Sequence, residues 1–159
     1  MTSGDALQLP ELRAALGSSD RHQRAYAAIQ LGRHQDQHSI DQLRTLTREP
    51  DELVAIAAMY GCWQLGVDAI AIDRMVAALS SDDEELVQES VFALCEIGEA
   101  VVPKLTEFLE TQAASPISVL CVLADIGGGA AFDVISSFKS DDPDVRSTIQ
   151  ELLEDWDDD

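Results

Sequence analysis

A dipeptide repeated at near-constant spacing constrains this chain more than any other feature. Leu31-Gly32, Leu65-Gly66, Ile97-Gly98 and Ile126-Gly127 place glycines thirty-four, thirty-two and twenty-nine positions apart (32 to 66, 66 to 98, 98 to 127). Recurrence at roughly 20–50 residues marks a chain built from stacked supersecondary units. The surrounding columns keep the same register. Five positions before each Leu or Ile stand Tyr26, Tyr60, Phe92 and Cys121. Four before stand Ala27, Gly61, Ala93 and Val122, mostly small, as close helix packing requires. Downstream of each glycine, apolar residues three apart (Ile40/Leu43/Leu46, Ile72/Met75/Ala78, Val102/Leu105/Phe108, Phe132/Ile135/Phe138) predict a second helix.

The unit is clearest over Asp82–Ala114. The acidic run Asp82-Asp83-Glu84-Glu85 opens a helix, because carboxylates accept its unpaired N–H groups and suit its dipole. Leu86, Val87, Val91, Leu94 and Ile97 follow at helical spacing, Gly98 stops the helix, and Val102, Leu105, Phe108 and Leu109 stripe the next. The expected fold is all-α. One such hairpin cannot bury its own apolar face, so neighbours must stack to share an interior.

The expected division is one domain over residues 1–159. Residues 6–17 form an N-terminal cap helix with Pro10 in its first turn and Gly17 at its end, after a loose start. Repeats follow over 18–50, 51–81, 82–114 and 115–140, the last with Gly127-Gly128-Gly129 as helix stop and joint. A C-terminal cap helix spans 141–156, with Trp156 closing the end of the stack, and residues 157–159 form an acidic tail.

The net charge is −20 and lopsided. Residues 1–80 hold ten acids and seven bases, whereas residues 81–159 hold twenty acids and three bases, giving −3 and −17. Such a field repels nucleic acid and anionic lipid and attracts a basic partner, or simply keeps the protein soluble. Neither nucleic acid nor membrane is therefore expected as a partner. No basic-then-apolar leader or bilayer-length apolar run is visible, and Cys62, Cys95 and Cys121 form no CxxC. A cytoplasmic, reduced protein is the expectation, with all three thiols buried as small apolar groups.

Catalytic patterns are missing. His34 and His38 are four apart but fall in a polar turn, with a further ligand such as Asp36 conceivable but not fixed in position by the sequence. The cysteines occupy different columns of three successive repeats, too dispersed for one ion. The many carboxylates sit at turns and helix starts, where capping explains them. The glycine run follows a helix instead of opening one after a strand. No catalytic residue, metal or cofactor is expected.

The phrases AAIQLGR (27–33), ALCEIGEAVVPKL (93–105) and DPDVR (142–146) resemble HEAT repeats, most closely the short HEAT-like repeat of phycobilisome lyase proteins. The resemblance implies a right-handed α-α superhelix of about four hairpins between capping helices. It departs from the HEAT-repeat deoxyhypusine hydroxylases, whose irons are held by His-Glu pairs. Here His22 and His34 are followed by Gln23 and Gln35, and His38 by Ser39. In stacks of this kind the second helices line a concave face. Carried onto this chain, that face holds Asp41, Gln42, Arg44 and Thr45, then Asp73, Arg74, Val76 and Ala77, then Lys104, Thr106 and Glu107, and finally Asp133, Val134, Ser136 and Ser137. The implied function is a non-enzymatic adaptor or assembly factor that binds a basic or amphipathic segment of another protein. Alternatives are a bilin lyase-like subunit or cofactor-protein chaperone, and an immunity protein masking a basic toxin. The expected state is a monomer or weak homodimer.

Overall fold

A computed structural model describes the backbone of residues 3–111 and 115–157, and the side chains of residues 8–111 and 115–156. Met1, Thr2, the junction residue Ala114 and the tail residues 158–159 lie outside the described residues. All regular structure among the described residues is helical. The chain divides into two compact units, residues 1–71 and 72–159. The division falls at the end of a non-helical run over 67–71, within the stretch expected as the second hairpin.

The first unit contains α1 (Ser3–Ala15), α2 (Arg21–Arg33), a 3-10 turn (Gln37–Ser39), α3 (Ile40–Leu46) and α4 (Glu52–Gln64). Contrary to expectation, α1 begins at Ser3, so Pro10 lies inside the helix and not in its first turn. Leu9 and Leu12, on either side of the proline, pack against the unit's core and hold that segment in place. The core itself is built from Leu16, Ala28, Leu31, Leu43, Leu46, Val54, Ala58 and Cys62.

The α2–α4 contact determines how tightly this unit closes. A Cβ on Gly32 would lie 2.8 Å from the Gly61 Cα and 3.0 Å from the Gly61 carbonyl oxygen, while one on Gly61 would lie 2.5 Å from the Ala28 carbonyl. Only glycine permits that approach. Gly32 is thus a packing residue inside α2, unlike its counterparts. Gly66, Gly98 and Gly127 take φ values of 72°, 78° and 72°, the left-handed geometry that ends a helix. In the first repeat that role passes to Gln35, at φ 55°. Its amide Nε2 donates to the Gly32 and Gln64 carbonyls at 3.1 and 2.9 Å, which satisfies the ends of two helices at once.

The second unit contains α5 (Ile72–Ala78), α6 (Glu84–Ile97), α7 (Val102–Thr111), α8 (Pro116–Ile126), α9 (Gly128–Ser137) and α10 (Pro143–Asp157). Helices α6, α8 and α10 pack in sequence as one layer, and α5, α7 and α9 as another. This two-layer stacking of hairpins is the α-solenoid arrangement. The interior is filled by Met75, Leu94, Leu105, Leu120, Leu123 and Ile135, all fully buried. The triple glycine is not a three-residue joint, because α9 already starts at Gly128 and only Gly127 lies between the helices. Trp156 belongs to α10 itself and meets Phe132 of α9 edge-to-face, with centroids 5.6 Å apart.

One capping device opens a helix four times. The carboxylates of Asp20, Asp51, Asp83 and Asp142 accept the N–H two residues on at 2.9, 3.1, 3.1 and 2.9 Å. At three of these sites a serine two residues earlier (Ser18, Ser81, Ser140) accepts the aspartate's own N–H at 3.1 Å. Four residues past the cap, Arg24 and Arg146 reach back to the loop carbonyls of Ser18 and Asp141 at 2.8 and 3.1 Å. The DPDVR phrase is therefore a closed turn: an aspartate on the helix start and an arginine on the incoming loop.

Candidate functional site

The residues expected on the second-helix face occupy both units. On α3, Asp41, Gln42, Arg44 and Thr45 are all exposed, and the Thr45 hydroxyl donates to the Asp41 carbonyl at 3.0 Å. In the second unit Asp73, Ala77, Glu107, Asp133, Ser136 and Ser137 are exposed, while Arg74, Lys104, Thr106 and Val134 are partly covered. Val76 is a correction: it is completely buried and belongs to the core, so no partner can reach it. The 3.6-residue period of α5 turns Val76 inward beside Met75, widening the apolar stripe beyond the three-residue spacing used to predict it.

The remaining polar groups on this face are mostly satisfied locally. Thr106 donates to the Val102 carbonyl at 2.9 Å, and the Ser136 and Ser137 hydroxyls both reach the Asp133 carbonyl. Such back-bonding leaves methyl and methylene groups outermost. Charge is concentrated in one triad that the fold assembles from two helices. The Lys104 ammonium on α7 lies 3.1 Å from the Asp73 carboxylate on α5 and 2.8 Å from Glu107 one turn on. Hydrogen bonding to Glu107, then to Asp73, raises the lysine pKa above its ordinary value. The triad carries a net charge of −1, and Asp133 adds a further carboxylate on α9.

Among the described residues, none of the three thiols is an activated nucleophile. Burial pushes all three thiols up, Cys95 to about 11 with Asp125 and Glu96 adding to the effect. The thiols are not all interior, as expected from sequence: Cys62 is buried, Cys95 half-buried and Cys121 exposed. Cys121 shares its column with Tyr26, which is 61% exposed, so that position faces outward in some repeats and inward at Tyr60. His34 caps the end of α2, and His38 sits in the adjoining 3-10 turn. Asp36, beside them, is tied instead to Arg13 of α1 through both carboxylate oxygens, with Nε at 2.8 Å. That guanidinium holds the Asp36 carboxyl below the usual carboxylate range. Among the described residues no three His, Cys, Asp or Glu side chains converge as a metal ion requires, and no helix is long and apolar enough to cross a membrane.

A groove of about 750 Å³ between the α9 end and α10, lined by Phe138, Lys139, Arg146, Ile149 and Leu153 among others, was not foreseen. Its sequence signal was weak, since Ile149 and Leu153 read as the buried stripe of a cap helix.

Compared with known families, residues 9–95 match the profile for HEAT repeats, more than half of the chain. The protein belongs to the HEAT-repeat family. Comparison with curated proteins finds no match. Among solved structures, this HEAT-repeat chain is similar to human deoxyhypusine hydroxylase in complex with glycerol. The two are 18% identical over 97% of this chain and 75% of that one, with a TM-score of 0.37. So distant a likeness contributes nothing to the functional argument.

Proposed function

We propose that this HEAT-repeat protein is a non-enzymatic interaction module, an adaptor or assembly factor that binds a basic or amphipathic segment of another protein on its second-helix face. The observation that carries the reading is chemical. In the second unit that face offers small side chains whose hydroxyls are already satisfied, edged by Asp73, Glu107 and Asp133. A surface of this kind gives up little hydration when covered, and its carboxylates select a cationic partner. The field supports the same choice, since residues 72–159 hold twenty-one acids against four bases, a net −17.

The test is capture of a protein partner on the immobilised chain, followed by a salt titration. Binding falls steeply between low and physiological salt, because exposed charges are screened over about 8–10 Å there. Asp133→Lys weakens capture, and so does the double charge reversal Asp73→Lys/Glu107→Lys. Capture that ignores both salt and these substitutions removes the electrostatic face from the account.

The DPDVR turn supports a second reading, a bilin lyase-like subunit of the phycobilisome-lyase variety. Incubation with bilin and an apo-acceptor protein decides it, and the absence of a coloured adduct eliminates it.

A further inference from the structure

The Lys104 triad is uneven in its exposure. The Asp73 and Glu107 side chains are 65% and 57% exposed, whereas that of Lys104 is 33% exposed. The lysine is thus the more covered member, and the two carboxylates stand outermost. Each gives the ammonium one oxygen, Oδ1 of Asp73 and Oε2 of Glu107. Their other oxygens, Oδ2 and Oε1, have no protein partner among the described residues. An ionised carboxylate accepts several hydrogen bonds, so both acids keep capacity for an incoming donor. The pair is a cation receptor with one cation already in it.

Register shows where that cation is missing. Two residues past the first apolar residue of each stripe in this unit stand Arg74, Lys104 and Val134. Because α9 carries an apolar residue there, Asp133 is exposed and no cation pairs with its carboxylate among the described residues. The acidic edge is therefore part-neutralised from α5 to α7 and open at α9. Cohesion is a weak reason for the arrangement, since exposed ion pairs contribute little to stability. Met75 of α5 and Leu105 of α7, both wholly buried, already supply apolar packing.

We infer that Lys104 is an internal competitor for the partner's cation, and so the residue that sets how much positive charge a segment must carry to bind this face. The role rests on that face being the partner surface. A cation that reaches Asp73 and Glu107 either shares them with Lys104 or displaces it, and in both cases meets the ammonium's charge at close range. A single positive charge gains little from a triad of net −1. A segment with two neighbouring cations engages Asp133 and a triad carboxylate together. Weakly basic segments are thus turned away by repulsion, which is how specificity is often built. Hydrogen bonding to Glu107 and Asp73 raises the lysine pKa, so the competitor stays charged through the neutral range.

The probe is a synthetic alanine-rich helical peptide with arginines at i and i+4, titrated into the full chain by calorimetry at low salt. Lys104→Met keeps the apolar stem, removes the charge and tightens binding about fivefold. Lys104→Arg keeps the charge and stays within about twofold of the native chain. Asp73→Asn/Glu107→Gln weakens binding about twofold in the native chain but about tenfold in Lys104→Met, because the acids act in full only once the internal cation is gone. Unchanged or weaker binding to Lys104→Met overturns the competitor role, and so does an equal effect of the acid substitutions with and without Lys104. Urea unfolding confirms that each variant is folded before it is titrated. A peptide that ignores both Asp133→Lys and Asp73→Lys/Glu107→Lys refutes the face itself; one that responds to those but not to Lys104→Met refutes only the competitor. Failure to bind either the native chain or Lys104→Met overturns both.

Discussion

Gly61→Ala adds a single methyl group where α2 and α4 meet. The new carbon would sit 2.5 Å from the Ala28 carbonyl oxygen and 3.3 Å from its carbon, both backbone atoms that no rotamer change can move aside. Restoring ordinary contact near 3.4 Å requires the helices to retreat by about 0.9 Å. A gap of that size forfeits about a quarter to a half of the dispersion attraction between the atoms separated. It would open along a helix on which Leu53–Cys62 are all buried. Overpacking of this kind costs about 2–3 kcal/mol. Alanine's better helix propensity returns about 0.8–1 kcal/mol, leaving the variant about 1–2 kcal/mol less stable. The assay is urea unfolding in a Trp156→Phe background, where Trp63, stacked on Tyr60 of the same helix, reports the first unit alone. The midpoint should fall by about 0.5–1 M with an unchanged slope. Gly129→Ala is the control, since a Cβ there meets nothing within 4 Å. On compatible backbone that change stabilises by about 0.4–1 kcal/mol, read through Trp156 in a Trp63→Phe background. If Gly61→Ala leaves the midpoint in place or raises it, the close approach of α2 and α4 is refuted.

Other consequences are simpler to check. Asp36→Asn destabilises the first unit at neutral pH. Because the Asp36 pKa is depressed in the folded protein, its contribution is complete above the unfolded value of about 3.9 and disappears as pH falls through the folded value, so the gap between wild type and variant should close in acid. Asp83→Ala removes the acceptor for the Glu85 and Leu86 N–H groups and costs about 1 kcal/mol in urea unfolding read through Trp156 in a Trp63→Phe background, whereas Asp82→Ala on the exposed neighbour costs less than about 0.5 kcal/mol. A neutral disulfide reagent should modify Cys121 first, Cys95 more slowly and Cys62 only on unfolding, as site-resolved mass spectrometry would show; rapid reaction at Cys62 would contradict its burial.

Much of the fold was readable in the chain because its determinants are local. A capping aspartate, an apolar stripe and a left-handed glycine act within one or two helical turns. Asp83, Leu94 and Gly98 accordingly behave as their neighbours in sequence predict. The charge asymmetry was equally plain, since it needs only counting. The same local logic failed where identical letters carry different loads. Leu31-Gly32 matches the other dipeptides by eye, yet Gly32 serves contact with Gly61 and the stop moves to Gln35.

The sequence alone determined the all-α class, the hairpin period, the aspartate-capped helix starts and the uneven charge, each a property of residues near one another along the chain. Only the tertiary structure decided which faces are covered. It buried Val76, exposed Cys121, drew Asp73, Lys104 and Glu107 into one triad, and left Ile149 and Leu153 of α10 open beside Phe138. Burial depends on what packs against a helix from elsewhere in the chain, and a periodic stripe marks a face for covering without saying what covers it.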